Sequence, residues 1–178
     1  MTLDPHLAPW SGSALRHIPA GSTYGALDFR FAGRGADNRW NDEGVPTLYL
    51  AGDEGVLIAE WGRNFAAIRT QQLHQRAVER SVFRLELAFD AVLDLRRGEV
   101  CRALSLVDAP ACFMNIAVAR ATAQFVRTTS AAQAMLVPSI GFLDDLERWC
   151  LVVFLEKLPP TPSAFVVSVT ESGPLRWG

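Results

Sequence analysis

Arg39, Tyr49 and Glu60 stand ten and eleven residues apart, in a stretch that runs Asn38-Arg39-Trp40-Asn41-Asp42-Glu43-Gly44-Val45-Pro46-Thr47-Leu48-Tyr49-Leu50-Ala51 and then on to Glu60. Together they supply a guanidinium fork suited to phosphate or carboxylate, an aromatic face with a polar tip, and a carboxylate. Arg39 falls in a polar loop, Tyr49 in an apolar run of strand length and Glu60 on the following helix. At 100° per residue, Glu60 lies roughly 120° from the centre of the apolar seam Ile58/Trp61/Phe65/Ile68. That puts it on the helix flank, where it can face a cleft rather than the core. Residues so spaced on a loop, a strand and a helix can converge on one pocket. Each also has an ordinary reading when taken alone. Arg39 pairs with Asp37, Asp42 or Glu43; Tyr49 carries its hydroxyl to the surface; Glu60 is solvated beside Arg63 or Asn64; Ser139, after Pro138, sits in a turn or caps a helix.

The elements that must position these groups can be read from periodicity. Residues 1–13 form a loose lead-in, and Leu15–Pro19 a short strand. A loop-rich stretch follows from Ala20 to Pro46; loops that long in a compact domain are usually functional or disordered. Thr47–Ala51 is a strand, and Asp53 is a good N-cap for the helix behind it. Phe83, Leu85, Leu87 and Phe89 alternate with polar residues, which predicts a half-buried strand, and Val92–Leu95 a second one after a turn. Asp108 with Pro110 opens a second helix to about Arg127, with Met114, Ala117, Val118, Ala121 and Phe125 on its apolar side. Ala134–Val137, Leu151–Leu155 and Phe165–Val169 are further runs of strand length. The order predicts an α+β fold: one domain with a mixed sheet and two main packed helices.

Composition narrows the function. The chain has 178 residues, 17 basic and 19 acidic side chains and a formal charge of −2. The length suits one domain, and 49% hydrophobic with 20% charged residues excludes a disordered chain. The acidic balance and the lack of a Lys/Arg run argue against direct nucleic-acid binding. No apolar stretch approaches the ~18 residues of a membrane span, and Met1–Trp10, with Asp4, His6 and two prolines, does not read as a secretory signal. Cys101, Cys112 and Cys150 have no CxxC spacing, which points to a reducing cytosol. His6, His17 and His74 form no metal motif. One skew remains: the basic set is sixteen Arg and one Lys, Lys157. A GC-rich genome explains most of them, so only position can promote any of the arginines.

With these residues in view, the sequence resembles the RES domain, a family named for its Arg, Glu and Ser. Arg39-Trp40-Asn41, Tyr49-Leu50-Ala51 and Glu60 match the family's loop, strand and helix block. Val137-Pro138-Ser139 resembles its strand-end Pro-Ser, and Arg16 stands where the family has an Arg near the start of its domain. The resemblance covers about residues 14–158, within a domain taken as 14–178. Asn38 stands where the family usually has Gly, His17 where it has an aromatic residue, and Ile140-Gly141 where Arg is frequent.

The resemblance implies the toxin of a bacterial toxin–antitoxin module, on a fold similar to the ADP-ribosyltransferases. It implies cleavage of the nicotinamide–ribose bond of NAD+, with water (a glycohydrolase) or phosphate (a phosphorylase) as acceptor. Arg39, Tyr49, Glu60 and Ser139 are then the catalytic group, and Arg16, His17, Arg39 and Tyr49 bind NAD+, which is substrate rather than cofactor. Glu60 would stabilise the positive charge that develops on the ribose, Arg16 would hold the pyrophosphate and Arg39 the pyrophosphate or else the ribose, Tyr49 would stack on the nicotinamide or adenine ring, and Ser139 would bond the ribose or the amide. A cognate antitoxin encoded alongside is the implied protein partner, inserting into a cleft gated by the Asp37–Glu43 loop; a homo-oligomer is left open. Two other readings stand beside this one: ADP-ribosyl transfer to a protein, and a non-catalytic partner-binding module.

Overall fold

The alternation around Phe83 does make a strand, and a longer one than the sequence suggests. In this computed structural model, which describes residues 3–36, 38–67 and 79–175, β3 runs without a break from Arg80 to Asp94. The expected turn before Val92 is absent because the Gln133 side chain accepts the Asp90 N–H at 2.8 Å, so the backbone stays extended and satisfied. Strand β1, Leu7–Pro19, pairs antiparallel with β3 along nearly its whole length. The expected loose lead-in is therefore strand from Leu7 on. Trp10 anchors that part, stacked on Phe89 and edge-on to Trp149.

The remaining elements are β2 (Thr47–Ala51), α1 (Glu54–Ala67), α2 (Gly98–Ala103), α3 (Ile116–Thr129), β4 (Ala134–Pro138), β5 (Trp149–Phe154) and β6 (Val166–Leu175). Among the described residues the strand order is β1-β2-β5-β4-β3-β6, with β1 also paired to β3. Only β3–β4 is parallel, so the sheet is mixed, and the β1–β3 pairing closes β1-β2-β5-β4-β3 into a circuit. Strand β4 lies in the middle with every residue buried, as its unbroken apolar run requires. The architecture is single-domain α+β with few helices, as expected.

Helix α1 begins where Asp53 caps it, the carboxylate accepting the Val56 N–H at 2.9 Å. Among its described side chains Val56 and Leu57 are buried, while Ile58 is only partly buried. Ile68 and His74 lie outside the described residues, as does the side chain of Phe65. Helix α3 departs further from expectation. It starts at Ile116, capped by Asn115 rather than by Asp108, and buries Ala119, Thr122, Ala123, Val126 and Arg127. The expected apolar face is the outer one: Met114 is 63% exposed and Phe125 40%. The inner face is taken by small Ala119, Thr122 and Ala123 together with Val126, and Ala119, Ala123 and Val126 join the buried core. Arg127 is tolerated there because it pairs with Glu156, donates to Thr47 Oγ1 at 2.8 Å and stacks on Phe154.

Candidate active site

The long loop between β1 and β2 is tied down at both ends, and the ties are the motif residues. Gly33 must take a positive φ of 80°, and a Cβ there would stand 2.2 Å from the Val45 carbonyl oxygen, so only glycine lets the two arms of the loop pass. Asn41 crosses the same gap, its amide donating to the Gly33 carbonyl at 2.9 Å and the Asp42 carbonyl at 2.6 Å. Trp40 is 3% exposed and packs on Phe113. The Tyr49 hydroxyl accepts the Trp40 N–H at 3.0 Å and donates to Asn41 Oδ1 at 2.6 Å. Burial pushes the phenol up, well above its ordinary pKa, so it stays a neutral donor and acceptor.

Arg39 projects across the loop and donates one terminal nitrogen to the carbonyls of Phe113 (2.8 Å) and Met114 (2.9 Å). Arg120, from α3, holds the Asn38 carbonyl at 3.0 and 2.7 Å. The segment expected to act as a gate is thus pinned through Asn38, Arg39, Trp40 and Asn41; Asp37 is outside the described residues. Arg16, on β1, gives both terminal nitrogens to the carbonyls of Ala26 and Asp28, and stacks on Phe29. Burial pushes its pKa down to about 10.

Arg16, Asn38, Arg39, Trp40 and Tyr49 wall a cleft of about 660 Å³, together with His17, Glu60, Trp61, Arg80, Ile116 and residues of β2 and β4. Arg16, His17, Arg39, Tyr49 and Glu60 all reach it. Ser139 does not. It is 0% exposed, and its hydroxyl donates to Glu60 Oε1 at 2.8 Å while accepting the Gly141 N–H at 3.3 Å. The structure thus places Ser139 behind Glu60, bonded to its carboxylate and not among the residues that line the cleft. Gly141 makes that reach available: a Cβ there would already stand 3.0 Å from Ala59 of α1.

His17 is fixed on its Nδ1 side, which accepts from Arg80 Nε at 2.9 Å, and lies edge-on to Trp61 at 4.8 Å. Arginine only donates, so Nδ1 is bare and the ring proton sits on Nε2. Burial first, then the charges of Arg80 and Arg16, pushes its pKa down to about 4, so the imidazole is neutral near pH 7. Arg80 and Trp61 are cleft residues that the sequence reading missed. Trp61 adjoins Glu60 in the sequence, but its place in the apolar seam of the helix reads as core. Arg80 carries no local signal, because it is brought to the cleft by pairing opposite Pro19.

The class this defines is a single-domain α+β protein whose mixed sheet bears a cleft walled by arginines and aromatic rings around one buttressed carboxylate. The RES domain family profile matches residues 14–178, and the chain belongs to the RES-domain family. No curated protein matches the sequence. Among solved structures, a chain of the M. tuberculosis MbcT–MbcA toxin–antitoxin complex is similar, with a TM-score of 0.63 at 21% identity over 94% of this chain and 87% of that one. At that identity the likeness is one of fold. No helix among the described residues is long and apolar enough to cross a membrane.

Proposed function

We propose that this chain is the toxin of a bacterial toxin–antitoxin pair and that it cleaves the nicotinamide–ribose bond of NAD+ in the cytosol, on a fold of the ADP-ribosyltransferase type. The observation that carries the reading is the hydrogen bond from buried Ser139 to Glu60, which sets a carboxylate in a cleft also lined by Arg16, Arg39 and Arg80. Membership of the RES-domain family supports it, as does a fold neighbour solved within a toxin–antitoxin complex. A cleft of about 660 Å³ falls inside the range of small-molecule sites.

The chemistry suits these groups. Nicotinamide is attached to ribose as a cationic pyridinium and leaves as a neutral amide, so its departure needs no general acid. Positive charge then grows on the ribose, and a preoriented carboxylate beside it lowers the barrier by on the order of 3 kcal/mol or more. Glu60 has that role, and Ser139 keeps it aimed. The arginines draw the anionic dinucleotide into a chain whose net charge is −2, because a few charges focused in a cleft outweigh the global balance. The Tyr49 ring, held by its hydroxyl, is a wall on which a base can stack. Water or phosphate then takes the ribosyl cation, and a cognate antitoxin blocks the cleft.

Purified protein incubated with NAD+, with and without phosphate, and followed for nicotinamide by chromatography tests the reading. Nicotinamide release is expected, with free ADP-ribose or a phosphorylated ADP-ribose as co-product. A labelled protein adduct in place of both assigns the chain to ADP-ribosyl transfer, and no release at all overturns the reading.

A further inference from the structure

Three of the cleft arginines differ in what they hold. Arg16 and Arg39 direct N–H groups at main-chain carbonyls, and so fix the loop and the helical turn over which they lie. Arg80 holds neither a carbonyl nor a carboxylate through its described contacts. Its Nε donates to a neutral imidazole, His17, and its guanidinium lies 4.2 Å from the Trp61 ring centroid. The three residues come from three elements. In the β1–β3 ladder His17 stands opposite Val82, so Arg80 is its diagonal neighbour on the same face of the pair, and Trp61 comes from α1. Burial pushes Arg80 down to about 10, and no described carboxylate raises it again. A desolvated cation set against neutral groups in a cleft is a cost that an anionic ligand offsets.

We propose that Arg80 is an anion-binding residue of the cleft, which clamps a phosphate-type oxyanion of the ligand through its two terminal nitrogens. With Nε committed to His17, that edge is the one that can bind bidentately, and stacking on Trp61 fixes its plane. His17 and Trp61 are positioning residues for it. The oxyanion has two sources, the diphosphate bridge of the dinucleotide or free inorganic phosphate. The proposal rests on the reading of the cleft as a dinucleotide site.

The test measures calorimetric binding of ADP-ribose and of inorganic phosphate to the full chain and to its Arg80→Gln and Arg80→Lys variants. The loss of a charge-assisted pair weakens binding about tenfold or more. Weaker ADP-ribose binding in Arg80→Gln, with a shallower salt dependence and partial recovery in Arg80→Lys, assigns the residue to the diphosphate bridge. Weaker phosphate binding alone assigns it to free phosphate. Unchanged binding of both overturns the proposal. If Arg80→Gln does not fold, the wild-type chain answers the question: ADP-ribose or phosphate should slow phenylglyoxal modification of Arg80, read by peptide mass, and no protection by either overturns the proposal. NAD+ turnover separates the two failures. Turnover whose KM for NAD+ and whose dependence on phosphate are both unchanged in Arg80→Gln sinks this subsite and leaves the proposed activity standing; phosphate binding without turnover does the reverse.

Discussion

Glu60 owes its aim to a side chain that never meets the solvent in the cleft. Ser139→Ala removes the 2.8 Å bond and leaves the carboxylate on its helix flank. We expect kcat for nicotinamide release to fall about tenfold, with KM little changed, because the bond orients a group that matters most in the transition state; steady-state kinetics on NAD+ checks it. His17 gives a second prediction at this scale. Its pKa is about 4 in the fold against 6.5 when free, so the unfolded chain takes the proton first as pH falls. Stability contributed by the neutral imidazole is present above 6.5 and is lost between 6.5 and 4, by up to roughly 3 kcal/mol. Urea unfolding across that range should show a steeper acid loss for the wild type than for His17→Gln; equal slopes would remove the neutral, Arg80-bound imidazole from the account.

At the scale of elements, the loop before β2 is a fixed wall, and Tyr49 is one of its pins. Tyr49→Phe leaves the Trp40 N–H without its hydroxyl acceptor and Asn41 without its donor. The expected cost is about 1–3 kcal/mol of stability, with faster amide exchange at Trp40, measured by denaturation and hydrogen exchange. Unchanged exchange would mean that the loop is held without the Tyr49 hydroxyl, by Arg39, Arg120 and the Asn41 amide. What could be read from the sequence here was local. Strand β2 was legible to the residue, and Asp53 capped its helix as expected, because a run of five apolar-patterned residues and a cap are decided within a few positions. The start and face of α3 were not, because both depend on the surface it meets: the small residues Ala119 and Ala123 go inward, and buried Arg127 is accepted only because Glu156 and Thr47 wait for it. The early part of β1 was lost for a similar reason, since Leu7–Ser13 is strand only by pairing with β3. The site divides the same way. Arg39, Tyr49 and Glu60 lie within one contiguous block and were legible together, whereas Arg80 reaches the cleft only through the register of a long-range ladder.

The whole molecule brings its cleft together by closing a circuit of strands. β1 carries Arg16 and His17, β3 brings Arg80 beside them, β2 places Tyr49, and Ser139 follows the end of β4, bonded to Glu60 of α1. Most of the sixteen arginines read as compositional background, but among the described residues Arg16, Arg39 and Arg80 face this one space. Under the proposed function, a chain of net charge −2 takes an anionic dinucleotide through charge focused in the cleft. The most direct test of the account is nicotinamide release from NAD+ by the purified wild-type chain and by Glu60→Gln, with both confirmed as folded. The account predicts turnover by the wild type and a loss of at least ~100-fold in the variant, because the neutral amide keeps the shape but not the charge. No release by the wild type, or equal release by the two, would contradict it.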